Sequence, residues 1–300
     1  MANRYNLKVK VGSYTGNGTA NTNIDAGMPI KYLIVKRRLG TASSSWSMPE
    51  LPLTFAASIG SGAESNSGIQ KVTESGFTLS TSSNVNAVGS VYDYFAMGGN
   101  NTTIGVGSYM GTGVNPTTIT DSKIDFTPNW VYLKAASATT SRFRTSLMSA
   151  SGSFSTANEA ASNINSFTSN GFVIGGSTNV NTSGAVHRFV ALNTHPSYYY
   201  ETSFTGNGTS QSITGLPFNP DFIIVKCNSS TNAIGMWFST NPTETQFITS
   251  TTPATDAITA VSNYTVTIGS NALANENGVT MRLMCFKDGE YVLPFDRTAI

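Results

Sequence analysis

Short apolar runs, set between clusters of Ser, Thr, Asn and Gly, make up most of this chain. Runs such as SVYDYFAM (Ser90–Met97) and AVHRFVAL (Ala185–Leu192) tend to alternate apolar and polar positions, the period of a strand with one covered face. Three others, PIKYLIVK (Pro29–Lys36), PNWVYLK (Pro128–Lys134) and PDFIIVK (Pro220–Lys226), are apolar at successive positions. They predict strands covered on both faces. GNG and NENG segments supply residues that tolerate the positive φ of tight turns. Ser155–Phe167 and Ala254–Ser262 each predict a helical turn or two, and no longer helical pattern is present. The chain reads as all-β.

The pattern returns at a fixed interval. SYTGNG at Ser13–Gly18 recurs as SYMGTG at Ser108–Gly113 and SFTGNG at Ser203–Gly208, and both steps (108 − 13 and 203 − 108) are 95 residues. One of the doubly apolar runs follows each hexapeptide, with an aromatic (Tyr32, Trp130, Phe222) four residues before a closing lysine (Lys36, Lys134, Lys226). SGFTL from Ser75 returns as NGFVI from Asn170, and NVNAVGSVYDYFA from Asn84 as NVNTSGAVHRFVA from Asn179, again 95 apart. The third copy of this last segment, LANENGVTMRLMCF from Leu273, keeps Asn275 and Gly278.

Four landmarks in one order define a tandem repeat. The copies span Val11–Gly99, Asn100–Asn193 and Thr194–Gly289, with Met1–Lys10 and Glu290–Ile300 as flanking arms suited to adding a strand to a partner. A unit near 95 residues is too long for a solenoid turn and fits an independent β-sandwich.

Charged residues are only 11% of the 300, and the net charge is +1, while 39% hydrophobic residues supply ample core. Such polar but weakly charged composition suits extracellular or particle-surface β proteins. No apolar run follows the basic residues of MANRYNLKVK, so no signal peptide is expected, and no stretch has the length of a membrane span. Cys227 and Cys285 lack metal-type spacing and read as two buried thiols, with a single bridge left open.

In the third copy, SFTGNGTSQSITGLPFNPDFIIVK is followed by Trp237; the second contains SFTSNGFVIGGSTNVNTSGAVHRFVAL. This order of an aromatic-T-G-N-G turn, a P-D strand ending in Lys, a Trp, a G-F strand and an N-x-x-G hairpin resembles a module of tailed-bacteriophage virion proteins. The resemblance covers most of Val11–Gly289. It implies jelly-roll or concanavalin-like β-sandwiches, three in tandem, in a fibre, tail-associated or head-decorating protein. It brings no catalytic motif. The copies depart from the pattern in places: the first has AGMPIKY where the others have Phe before Pro, and the second has Phe143 and Arg144 near the Trp position.

Little in the chain points to a reaction. His187 falls on a strand where Tyr92 and Met281 fill the matching places, which reads as the outer surface of a sheet rather than a catalytic base. His195 sits at the junction of the second and third copies. The close acidic pairs Asp121/Asp125 and Asp288/Glu290 read as solvated turns rather than a glycosidase pair. The G-x-G of the hexapeptide leads into a strand, not the helix a phosphate cradle needs. No catalytic residue, metal ligand or cofactor site is assigned.

Two candidate surfaces remain. Lys8, Lys10, Lys36, Arg37 and Arg38 belong to a basic cluster confined to the first 38 residues, and KRR occurs in one copy only, so this cluster is a candidate docking surface for an acidic neighbour. Tyr198, Tyr199, Tyr200 and Trp237 are candidate glycan-contact aromatics, because three consecutive strand tyrosines cannot all face inward. The expectation is a non-enzymatic virion surface protein, made in the host cytoplasm and assembled with other virion subunits as a homo-oligomer. Neither nucleic acid nor membrane insertion is expected. The alternative is an adhesin recognising host surface glycan; a glycan hydrolase ranks third.

Overall fold

Each doubly apolar run forms a strand whose two faces serve different cores. In a computed structural model these strands are Tyr32–Arg37, Trp130–Ala135 and Phe222–Cys227. The structure describes residues 6–292 except 41–42, 52–55, 61, 66–67, 155–158, 160, 229–233 and 249–251. Tyr32 and Ile34, Trp130 and Tyr132, and Phe222 and Ile224 all enter one apolar cluster to which every copy contributes. The intervening Leu33 and Val35, Val131 and Leu133, and Ile223 and Val225 enter three separate clusters, one per copy. The two-residue period of a strand makes this division unavoidable.

The structure is all-β, with several antiparallel sheets and none closed into a barrel. The strand order is the same in three places. The second large sheet runs Ile104–Met110, Val186–Leu192, Trp130–Ala135, Arg142–Thr145, Gly152–Ser153. The third runs Tyr199–Thr205, Thr280–Phe286, Phe222–Cys227, Gly235–Phe238, Asn241–Phe247. The first has Asn6–Thr15, Val91–Gly99, Tyr32–Arg37, Ser45–Ser47 and Ala56–Ser58 in that order, with an added strand at each edge. Each large sheet shares its private cluster with one three-stranded sheet, centred on Gly76–Leu79, Gly171–Ile174 or Thr265–Ile268.

Where they are described, the arms pair with each other. Asn6–Thr15 is one continuous strand, with Leu7 and Val9 buried in the shared cluster. Its outer edge pairs with Gly289–Val292, from Asn6 opposite Val292 to Val9 opposite Gly289. Beside this pairing, Asp288 accepts from Lys10 Nζ at 3.2 Å and from Val11 N at 3.1 Å. Residues 1–5 and 293–300 lie outside the described residues. Of the expected helical turns, residues 155–158 and 160 lie outside the described residues, while Ile164–Thr168 and Ile258–Ser262 are strands, each paired in a hairpin with the strand that follows.

The recurring hexapeptide is a corner, held by one buried asparagine per copy. Asn86 closes a single helical turn, Ser83–Asn86, capped by Ser82. Its Oδ1 accepts from Asn17 N (2.9 Å) and Gly18 N (3.3 Å), and its Nδ2 donates to Thr19 O and Ser80 O (both 2.9 Å). Asn181 does the same for Thr112, Gly113, Val114 and Gly175, and Asn275 binds Asn207, Thr209 and Gly269. The first glycine of each hexapeptide packs its Cα against backbone: a Cβ at Gly111 would lie 2.1 Å from Thr182 O. The second has φ near +70°, at +73°, +72° and +69°.

Removing such an amide strands buried backbone groups. Asn86→Ala should therefore cost about 2–3 kcal/mol, whereas Asn84→Ala, two residues earlier and exposed, should stay within about 0.5 kcal/mol. Urea unfolding of the two variants checks this; equal effects would deny the corner its role.

Candidate functional site

The residues singled out for chemistry are mostly spent inside the fold. His187 is buried, not on an outer surface, and so are Tyr92 and Met281 at the matching positions. Its ring stacks on Tyr109 at 5.2 Å, and burial, reinforced by Lys134, lowers its pKa to about 4. It is a neutral core residue. His195 lies at the copy junction as expected, stacked on Tyr198 at 5.9 Å. Asp121 Oδ1 accepts from Lys123 N in a turn. Cys227 and Cys285 are buried and not joined in a disulfide. Among the described residues no group of three acidic, His or Cys side chains converges on a metal position, and no helix is long and apolar enough to cross a membrane.

The basic cluster comes together only in part. Lys36 is fully buried and presents nothing to a partner. Arg38 donates to Asp93 from Nε at 2.9 Å and Nη2 at 2.7 Å, and to Thr240 O at 2.6 Å. Arg37 is half-buried beside it, while Lys8 and Lys10 are half-buried on the strand paired with the chain's other end. The KRR motif thus belongs to a seam between the first and third copies.

That seam has two counterparts, and together they form a cycle. The residue opposite each recurring lysine is Asp93, Arg188 or Arg282. Arg188 makes a two-pronged contact with Glu64 of the first copy, Nε–Oε1 2.9 Å and Nη2–Oε2 3.2 Å. Arg282 does likewise with Glu159 of the second copy, at 2.6 and 3.4 Å, and also meets Glu201 at 3.3 Å. Asp93 closes the cycle with reversed polarity, accepting from Gln246 Nε2 and Thr240 Oγ1 of the third copy, each at 2.6 Å. These pairs were missed in the sequence, although Glu64 and Glu159 are 95 residues apart (159 − 64) and the arginines align with Asp93.

The proposed glycan aromatics also divide. Tyr198 and Tyr199 are buried in the shared cluster. Tyr199 donates to Glu201 Oε2 at 2.8 Å, and Tyr198 to Asn193 O at 2.7 Å. Tyr200 is half-buried and packs on the third copy's own core. Trp237 is largely buried there too, yet its edge lines a cavity of about 590 Å³. Asn219, Asp221, Ser262, Asn263 and Lys287 also line it. Asp221 Oδ2 accepts from Lys287 Nζ at 2.8 Å and Asp288 N at 2.9 Å. Trp237 Nε1 donates to Pro242 O at 3.1 Å.

At the rim, the two-residue turn between Ser262 and Thr265 holds Asn263 and Tyr264 at φ +50° and +58°. Such a conformation costs a bulky residue about 1 kcal/mol or more, and the Tyr264 side chain remains 56% exposed. Sequence reading passed Tyr264 over because it lies in a turn outside the recurring landmarks.

No known family model matches the chain, and no curated protein is significantly similar to it.

The recurring lysines give the seams a pH signature. Burial lowers Lys36, Lys134 and Lys226 from their ordinary 10.5 to about 8, and Lys31 likewise. Above about pH 8 the folded chain therefore holds fewer protons than the unfolded one, and stability rises with pH. Above pH 10 buried tyrosines such as Tyr32 and Tyr109, whose pKa burial raises, reverse the slope because only the unfolded chain ionises them. The melting temperature should climb from pH 8 to 9 and fall beyond 10, with a shallower climb in Lys134→Met. A flat or falling profile between 8 and 9 would contradict buried ammonium groups.

Proposed function

We propose that the chain is a non-enzymatic structural protein of a bacteriophage virion. In this reading three jelly-roll or concanavalin-like β-sandwiches of about 95 residues pack round one core to form a rigid surface, fibre or tail-associated component. The observation that carries the reading is the single apolar cluster shared by all three large sheets. Rigidity of this kind serves a building block: the three copies hold fixed positions, and the first strand pairs with Gly289–Val292. The order of motifs that resembles virion modules supports the same reading. So does the use of the candidate chemical groups within the fold, His187 in a core and the Arg–Glu pairs in seams. Partners are then other virion subunits, and location is the particle surface.

Fractionating phage particles from the producing host on a density gradient, with the chain tagged, tests this directly. The protein should band with particles, and label seen by electron microscopy should sit at regular positions on head or tail. A chain found free of particles but attached to cell envelopes would replace this reading with the glycan-binding one.

A further inference from the structure

A site must differ from what the shared fold needs, and two residues of the third copy do. Trp237 lies opposite Ile223 in the large sheet, where the other copies have Ser47 opposite Leu33 and Arg144 opposite Val131. Tyr264 occupies the hairpin turn before Thr265–Ile268, where the second copy's corresponding turn before Gly171–Ile174 carries Ser169 and Asn170. Trp237 also packs in the third copy's own core, whereas Tyr264 packs in none of the apolar clusters. Tyr264 is more costly than neutral, since a bulky side chain is held at positive φ and left in solvent. Trp237 lines an open groove of about 590 Å³, and Tyr264 adjoins it, following Asn263 of the lining and donating from its N–H to Asn219 of the wall.

The polar lining is of one kind. Asp221 keeps Oδ1 without a hydrogen bond among the described residues, while Oδ2 is anchored by Lys287 and Asp288 N. Asn219 Oδ1 accepts from Tyr264 N at 2.7 Å, tying the turn to the cavity wall. The Asn263 side chain and the Ser262 hydroxyl are likewise uncommitted among the described residues. An anchored carboxylate, amides and hydroxyls beside an exposed flat ring match a ligand with one apolar face and a rim of hydroxyls. We infer that this cavity is a saccharide-binding site for a neutral hexose or N-acetylhexosamine oligosaccharide. Tyr264 stacks on a sugar face, while Asp221 and Asn263 take its hydroxyls. The inference does not rest on the virion reading, because the site lies within one copy.

Saturation-transfer NMR with the tetrasaccharides of glucose, galactose, mannose and N-acetylglucosamine, on the full chain, tests it. At least one should bind saturably below about 10 mM. Tyr264→Asn should weaken that binding about ten-fold, while Tyr264→Phe retains it. The melting temperature of Tyr264→Asn should be unchanged or higher, which separates loss of a ligand contact from loss of fold. Failure of all four sugars to bind, or undiminished binding by Tyr264→Asn, would overturn the site. Particle association of Tyr264→Asn, measured on the gradient, reports on the virion reading alone.

Discussion

A strand that is apolar on both faces must be covered on both. In each copy one face of the central strand is covered by that copy's own three-stranded sheet, through clusters such as Leu33, Val35, Phe77 and Leu79. The other face, which carries Tyr32 and Ile34, Trp130 and Tyr132, or Phe222 and Ile224, enters the cluster common to all three copies. Each large side chain left exposed would forfeit about 1.5–3 kcal/mol, a large share of a small domain's stability. The copies therefore complete each other. Phe95 of the first stacks on Phe222 of the third at 4.2 Å, and Tyr32 meets Tyr132 of the second at 5.8 Å. A 95-residue unit that reads as an independent sandwich in sequence has half of its core in its neighbours.

The polar seams follow from that packing. Strands that converge on a common core bring their ends together, and each seam there carries a buried lysine beside a charged residue that contacts a neighbouring copy. Breaking such a buried pair costs more than forming it gains, so its value lies in register as much as in stability. The seam between the first and third copies differs because the chain does not pass directly across it. There Asp93 collects four hydrogen bonds from Arg38, Thr240 and Gln246. Ser44 N also bonds Ile248 O at 3.0 Å, and the paired chain ends lie on the same first sheet.

The recurring landmarks made much of this legible. The doubly apolar runs announced strands buried on both sides, and the invariant spacing announced a unit used three times. The sequence could not show what the second face met, because a two-residue period states that a side is covered without stating by what. It also made Lys36 look available, since KRR is distinctive in one copy; the stem of a lysine ending an apolar strand follows that strand inward. Likewise, alternation cannot separate a wet face from one covered by another sheet, which is why His187 read as surface. Ile258–Ser262 read as helical because Ala and Thr carry little strand signal, and its pairing with Thr265–Ile268 is not written in that signal. Tyr264 escaped notice because its significance is a backbone angle.

The shared core makes one claim that a melt can decide. Differential scanning calorimetry of the full chain should show one transition, with van't Hoff and calorimetric enthalpies in agreement, because no copy can unfold without exposing its neighbours' aromatics. Two or three separable transitions, or a van't Hoff enthalpy near one third of the calorimetric value, would mean that the copies fold on their own and that the common cluster is only a contact between finished domains.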